Sequence, residues 1–414
     1  MSAHPSSVVV VGGGQCAAVA VRTLRRKKYE GPVLVLAGEP HRPYQRPPLS
    51  KDYLADPTAS VDLLPQDWTD GNDVTVRTGV TVERVEEGEG GPAGSLVVVT
   101  ADGERIPAGA VLLATGGTPR ELPGAPAGER VHYLRTRDDA DRLRTAMAAA
   151  RSLVVVGGGF IGAEIASTAR DAGLEVTVVE AAEQPMQRAL GDRLGAVCSR
   201  LQREHGVDLR LSTGVESLRE EPDGVVVTTS AGEVRADLAV VAIGIVPSTE
   251  VAERSGIACG DGVLVDASCR TSMAGVWAAG DVACQEHPQA EGRVRVEHFD
   301  NASKQASVAA QSMLGVQTTN SDAHWYWSDQ FGANLQGVGH PRPDDEMVVR
   351  GDLEGERFTA FFLRDGAVAA VFALNDEDTV GLARELVTMR LEVPRELLAD
   401  PERDLFDALE GAAT

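Results

Sequence analysis

The chain has 414 residues, 43% of them apolar and 44 of them glycine; this is too long for one simple core and suggests about two to four domains. A formal charge of −23 argues against nucleic acid as a partner, because phosphates would be repelled overall. No apolar run approaches the roughly 18 residues of a membrane span, and residues 1–7 carry no basic region, so the chain reads as cytoplasmic, without signal peptide or membrane association.

The first predicted element is a buried parallel strand at Val8–Val11, followed by a turn with Gly12, Gly14 and Ala17 in G-x-G-x-x-A spacing and a helical pattern reaching Lys28. Glycine first allows the tight turn, glycine second lets a pyrophosphate approach the backbone, and a small third residue lets helix and strand pack closely. The ligand then sits on the unpaired N–H groups of the helix N-terminus. Arg22, Arg25, Arg26, Lys27 and Lys28 cluster at the far end of that helix, where cations complement its dipole. A second strand, Val33–Leu36, ends near Glu39, a carboxylate placed to bind a ribose hydroxyl.

The run Arg42–Leu54 follows, where paired prolines imply an extended segment before Ser50 begins a helix with Lys51 just inside it. A cation at that end of a helix points to a nearby anion. Residues 73–85 and 94–99 alternate around the Gly- and Glu-rich loop 86–94 and predict an antiparallel β-meander. A buried strand then ends in Ala114, Thr115 and Gly116, whose small side chains permit a flat ligand to approach the backbone.

The pattern then repeats. A strand at Leu153–Val156 opens on Gly157, Gly159 and Gly162, a helix follows, and Glu180 stands at the end of the strand Glu175–Val179. A carboxylate there can accept both ribose hydroxyls and would repel a 2′-phosphate, which points to NADH over NADPH. A second meander (207–211 and 225–229), the strand 238–243 and a loop at Gly244 complete this copy. Two dinucleotide loops in one chain imply two dinucleotides held together, as in a flavoprotein reductase. The apolar strand ending in Gly280 and Asp281 and the small-residue helix from Asn301 to Leu314 come next. Beyond Gly315 aromatic residues concentrate, Asp365-Gly366 marks a hairpin, and a helix is expected from Asp378 to about Leu391. The acidic tail reads as solvated surface. Cys16, Cys198, Cys259, Cys269 and Cys284 form neither C-x-x-C nor a metal-ligand spacing, so no metal is expected.

Arg46-Pro47-Pro48-Leu49-Ser50-Lys51, Ala114-Thr115-Gly116-Gly117, Phe160-Ile161-Gly162-Ala163-Glu164, Ala279-Gly280-Asp281 and Trp325-Tyr326-Trp327-Ser328-Asp329-Gln330 together resemble the flavoprotein disulfide-reductase superfamily. Within it the chain is similar to ferredoxin reductases of the putidaredoxin-reductase and biphenyl-dioxygenase-reductase kind. The resemblance implies an α/β fold with two Rossmann-like three-layer dinucleotide-binding domains of the glutathione-reductase type and a C-terminal α+β domain. The expected divisions are a discontinuous FAD-binding domain (1–115 and 243–319), an NADH-binding domain (116–242) and a C-terminal domain (320–414) covering the flavin. It assigns to FAD the residues Gly12, Gly14, Gln15, Cys16, Ala17, Glu39, Arg46, Lys51, Val82, Ala114, Thr115, Gly116, Arg135, Gly280, Asp281, His298, Phe299 and Trp327. To NADH it assigns Gly157, Gly159, Phe160, Ile161, Gly162, Glu180 and Gly244. Lys51 and Glu164 are expected to pair at the hydride-transfer site.

The chain departs from its relatives' pattern at Ala17 (usually glycine), Gly38 (an acid in some), Gln184 (commonly arginine) and Phe299 (often tryptophan). Relatives pass electrons to a C-x-x-x-x-C disulfide or to a single early cysteine; here the disulfide motif is missing and the one early cysteine, Cys16, lies in the phosphate loop, where it reads as packing, so a two-iron ferredoxin is the expected electron acceptor, serving a haem-thiolate monooxygenase or a Rieske-type oxygenase. Docking would need a local basic face, drawn from Arg295, Lys304 or the 22–28 cluster. The alternatives are a rubredoxin reductase, an NADH oxidase, or a redox-responsive flavoprotein like apoptosis-inducing factor. A monomer or weak dimer is expected.

Overall fold

The computed structural model describes residues 4–88, 95–290 and 292–406, so most of the expected 86–94 loop and the end of the acidic tail lie outside the described residues. The described residues gather into two compact units. The first takes those within Met1–Arg46, Ser60–Thr118 and Val246–Asp322, and the second those within Pro47–Ala59, Pro119–Ile245 and Ala323–Thr414.

The first unit is built on a five-stranded parallel sheet in the order 276–278, 110–113, 8–11, 33–37, 74–78. Its central strand has no polar face. Val8 and Val10 pack into one cluster with the helices Gln15–Arg26 and Phe299–Met313, while Val9 and Val11 pack into a second with the antiparallel meander 82–87, 96–100, 105–108. Continuous apolar strands are what a sheet covered on both faces requires. The two helices meet through alanines (Ala17, Ala18 and Ala20 against Ala302, Ala306, Ala309 and Ala310), so their axes approach closely.

The second unit repeats this plan. Its parallel sheet runs 208–210, 175–179, 152–156, 238–241, 131–132. Leu153 and Val155 face the helices, and Val154 and Val156 face the meander 215–221, 224–229, 232–236. The same unit holds a five-stranded antiparallel sheet of the C-terminal segment, in the order 325–330, 333–339, 367–374, 358–364, 346–351. Both faces of that sheet are buried. Phe358, Ala360, Phe362, Ala370, Phe372 and Leu374 pack on the helix Gln187–Glu204, and Phe361, Leu363, Val371 and Ala373 pack on the helices Glu377–Met389 and Arg395–Ala399. The expected hairpin is present, with Asp365 and Gly366 both at positive φ, as a type I′ turn requires. The expected fold class, α/β with two Rossmann-like three-layer domains and a C-terminal α+β domain, is what the chain adopts.

Some local expectations are corrected. Val74–Thr78 and Asp208–Arg210 belong to the parallel sheets, pairing with 33–37 and 175–179, and the meanders begin only after them. Each is an edge strand with one neighbour and is only partly buried, so apolar and polar residues alternate along it as in an antiparallel strand. The prolines at 47 and 48 are not extended but open a 3₁₀ turn, Pro47–Ser50, where a missing N–H costs nothing. Lys51 is then the N-cap of the short helix Asp52–Ala55 and lies outside it. Within the 22–28 cluster, Arg25 donates to the carbonyls of Tyr29, Gly31, Asn72 and Asp73, and Arg22 donates to Leu63 O and lies over the Trp68 ring. Arg295 is held by Asp261 and Glu297, and Lys304 by Asp300 and Asp322.

Candidate functional site

In the first unit the loop after Val8–Val11 packs tightly on the protein at one end and stands open at the other. Gly12 has φ +128, and a Cβ there would lie 2.1 Å from Ala114 O. Gly14 is the N-cap of its helix, and a Cβ on it would meet nothing within 4 Å. No side chain caps that helix and its first turn holds no acid, so its first N–H groups and positive end are left for a ligand. Gln15 donates to Ser303 Oγ at 2.9 Å, while its buried Oε1 has no hydrogen-bond partner. Cys16 and Ala17 are buried in the first turn, and Ala17 Cβ is accommodated in the core. These features fit a pyrophosphate bound at the loop.

Around the loop, Glu39 accepts from Tyr44 Oη and, at 2.7 Å, from Arg46, so the acid is oriented while Arg46 lies 5.2 Å from the Tyr44 ring centroid. Thr115 donates to Ser248 O at 2.8 Å, and Ser248 N–H donates to Gly116 O at 3.0 Å, pinning a turn in which Gly116 has φ +67. Gly280, at φ +82, follows the strand Val276–Ala278 and leads into Asp281. Val82 opens the meander and is buried; His298 and Phe299 start the helix that packs on the loop helix.

The second loop shows the same division. A Cβ on Gly157 would lie 2.4 Å from Ala242 O, one on Gly162 would lie 2.1 Å from Gly157 O, and one on Gly159 would meet nothing within 4 Å. Gly159 caps the helix Phe160–Asp171 without a side-chain bond and with no acid in its first turn. Glu180 is tied to this loop, accepting from Gly158 N–H at 2.6 Å and from Ala182 N–H at 2.8 Å. Its charge therefore sits at the loop, where an added 2′-phosphate would be repelled. Phe160 rests on Tyr326 at 5.3 Å between centroids, Ile161 is 44% exposed, and Gly244 takes φ +100. Gln184 accepts from Ser199 Oγ at 2.6 Å, within the unit's own packing.

The same unit contains the expected pair. Lys51 Nζ lies 3.3 Å from Glu164 Oε1, and Glu164 is 4% exposed on the buried side of the second loop's helix. Sequence reasoning did not find the rest of the cluster. Ser50 Oγ donates to Glu164 Oε2 at 2.5 Å, and Ser328 Oγ donates to Oε1 at 2.6 Å. Asp329 adds a second carboxylate 3.3 Å from Lys51 Nζ. Gln330 donates to Ser328 Oγ at 3.1 Å, and Thr168 donates to Ser50 O at 2.8 Å. Burial pushes the Glu164 carboxyl above its usual range, against the opposing pull of Lys51, Ser328 and Ser50. Trp327 lies 5.6 Å from Lys51 Nζ and stacks on Trp325, over which Arg384 lies in turn. Tyr53 holds the segment in place, its ring between Arg137 and Arg144 and its hydroxyl donating to Asp141 and accepting from Arg137. Arg135 precedes the helix Arg137–Ala149, with its N–H donated to Asp139.

All five cysteines are free thiols. Burial pushes Cys198 up to about 12 and raises Cys16 well above the ordinary value. Among the described residues no group of His, Cys, Asp and Glu could hold a metal ion, and no helix is long and apolar enough to cross a membrane.

Residues 6–306 match the pyridine nucleotide-disulphide oxidoreductase family, and residues 325–409 match the reductase C-terminal domain. The anthranilate 1,2-dioxygenase system ferredoxin–NAD(+) reductase component of Burkholderia cepacia is 36% identical over 406 residues, 97% of this chain and 98% of that one. Rhodocoxin reductase of Rhodococcus erythropolis is 37% identical, over 96% of this chain and 93% of its own. The reductase in a covalent putidaredoxin reductase–putidaredoxin complex superposes with a TM-score of 0.93, at 30% identity and with full coverage of both chains.

Proposed function

Because the chain belongs to the pyridine nucleotide-disulphide oxidoreductase family, and is an oxidoreductase by that membership, we propose that it is an FAD-dependent NADH:ferredoxin reductase. Its acceptor is a two-iron ferredoxin that feeds a haem-thiolate monooxygenase or a Rieske-type oxygenase in the cytoplasm. The observation that carries this choice of acceptor is the state of the cysteines. With no disulfide, and with Cys16, Cys198, Cys269 and Cys284 buried, there is no thiol couple to receive electrons. The relatives' reductase roles in dioxygenase and rhodocoxin systems support the same acceptor class.

When bound, a flavin supplies the redox chemistry, accepting a hydride and releasing electrons singly. The chain's own residues bind and orient. The Gly14 helix end takes the FAD pyrophosphate, and Glu39, steadied by Tyr44 and Arg46, takes the adenosine ribose. The Gly159 helix end and Glu180 do the same for NADH. Glu164 fixes the Lys51 ammonium at 3.3 Å, and Ser50 and Ser328 hold the carboxylate so that it cannot rotate away. The remaining assignments (Val82, Arg135, Asp281, His298, Phe299 and Trp327 to FAD; Phe160, Ile161 and Gly244 to NADH) belong to the same proposal.

The test is NADH-driven cytochrome c reduction with and without an added two-iron ferredoxin, beside NADH consumption by oxygen alone. Strong dependence on ferredoxin is expected. Rapid NADH loss without ferredoxin would replace the reading with an oxidase.

A further inference from the structure

The turn at Gly280–Asp281 is held by a buried chain of side-chain amides. Ala279 N–H still pairs with Leu113 O at 3.1 Å, but the next N–H, of Gly280, leaves the sheet and donates to Gln305 Oε1 at 2.8 Å. Gln305 Nε2 donates to Gln285 Oε1 at 2.9 Å, and Asn320 Nδ2 donates to the same oxygen at 2.8 Å. Gln285 Nε2 is thereby turned to Ala267 O at 3.1 Å and Asn320 O at 3.4 Å. Gln285 and Gln305 are each 1% exposed and Asn320 is 3% exposed.

The direction of every bond is set by its neighbour. An amide offers one acceptor oxygen and one donor nitrogen, so an oxygen that already receives two N–H groups cannot be exchanged for a nitrogen. Gln285 must present oxygen to Gln305, Gln305 must then present nitrogen to Gln285, and its own oxygen is left for Gly280. Buried away from bulk water, each reversed amide would set donor against donor or acceptor against acceptor.

We propose that Gln305, Gln285 and Asn320 form a positioning relay that sets the Gly280–Asp281 turn for the flavin, so that a change at Asn320 alters flavin retention without touching the flavin. The proposal rests on the reading of the first unit's loop as the FAD site. Three packed amides are a large polar investment for a turn that apolar side chains could fill, and one end of their chain, Gln305, meets the main-chain N–H beside Asp281. Holding that N–H inward fixes the peptide plane of Gly280, and with it the direction in which Asp281 leaves the strand.

Asn320→Asp removes the donor to Gln285 Oε1 at almost constant volume. Oxygen then faces oxygen, so Gln285 either turns over, which forces Gln305 to turn and strips Gly280 of its acceptor, or withdraws, which leaves the Gln305 nitrogen without an acceptor and loosens the amide that holds Gly280. Ser268→Ala is the control, since Ser268 donates to Thr318 O at 2.6 Å and anchors the same segment outside the relay. Three quantities are read on the purified holoenzyme: the FAD release rate on dilution, hydrogen exchange at the Gly280 amide, and the melting temperature. We expect Asn320→Asp to release FAD about tenfold faster, as for loss of one buried hydrogen bond. Gly280 should exchange faster in it, and Ser268→Ala should keep FAD as the wild type does. The proposal is overturned if Asn320→Asp retains FAD like the wild type, or loses it only in step with a fall in melting temperature that Ser268→Ala shares. Where Asn320→Asp does not fold, Gln305→Met, which removes both the acceptor for Gly280 and the donor to Gln285, is read in the same way. Unprotected exchange at Gly280 in the wild-type holoenzyme overturns the relay whatever the variants do. Wild-type protein that binds no FAD while Gly280 stays protected would overturn the flavin reading instead.

Discussion

Ser328→Ala tests the architecture around Glu164. In the wild type, burial holds the carboxyl above its ordinary value of 4.5, so the fold loses stability as pH rises through that titration. Ser328 Oγ lies 2.6 Å from Oε1 and reduces that loss; it is itself wholly buried, so no bulk water stands ready to replace it. A hydrogen bond to a charged group contributes about 1.5–3 kcal/mol and one to a neutral group about 0.5–1.5 kcal/mol. The cost of Ser328→Ala is therefore about 0.5–1.5 kcal/mol at pH values where Glu164 is protonated, rising to about 1.5–3 kcal/mol where it is ionised. The variant's carboxyl holds its proton to still higher pH. If the ionised form orients Lys51, the fall in hydride transfer on acidification begins at higher pH than in the wild type. Urea unfolding of the holoenzyme at several pH values reads the first effect, and anaerobic stopped-flow reduction by NADH reads the second. Ser328→Thr, which keeps the hydroxyl, restores both. A destabilisation that stays constant across the pH range, with an unmoved rate profile, would show that Ser328 does not act on the charge of Glu164.

Three further outcomes follow from the geometry. Gly162→Ala drives a methyl against Gly157 O, at 2.1 Å as built, and should raise the Kd for NADH at least about tenfold while FAD content is kept; calorimetric titration with unchanged affinity would refute the close approach. Glu180→Ala should erode the preference for NADH in kcat/KM, and a wild type using NADPH equally well would remove Glu180 as its source. Tyr53→Phe deprives Arg137 and Asp141 of the hydroxyl between them and should cost about 1–2 kcal/mol in urea unfolding; no loss would mean that ring stacking alone holds the segment.

What was legible in the sequence was local. Four consecutive valines, a glycine spacing and a strand-end acid each fall within one βα unit, and both copies fold as those signals indicate. The edge strands 74–78 and 208–210 were misassigned in both copies for one shared reason, half-burial. The prolines at 47 and 48 mark a break in ordinary helix but do not distinguish an extended run from a 3₁₀ turn. The cluster around Glu164 was out of reach in another way. Ser50 and Ser328 are separated from Glu164 by 114 and 164 positions, and a serine carries no pattern until a carboxylate is placed beside it. The run Trp325–Gln330 signalled kinship, while the task of its serine emerged only in three dimensions.

The two buried faces of the C-terminal sheet bear on engineering. Chimaeras that exchange acceptor preference between such reductases would naturally be cut where the chain enters the segment, near Ala323. A donor segment joined there would arrive with Phe358, Phe362 and Phe372 shaped for another protein's helix, and would meet Met186, Leu190, Leu194 and Cys198 of the host. The exchangeable module is therefore discontinuous in sequence. It includes, besides the segment after Ala323, the helix Gln187–Glu204 and the side of the helix Phe160–Asp171 that meets Tyr326, Ser328 and Phe331, and grafts that carry these should express where grafts of the segment alone aggregate.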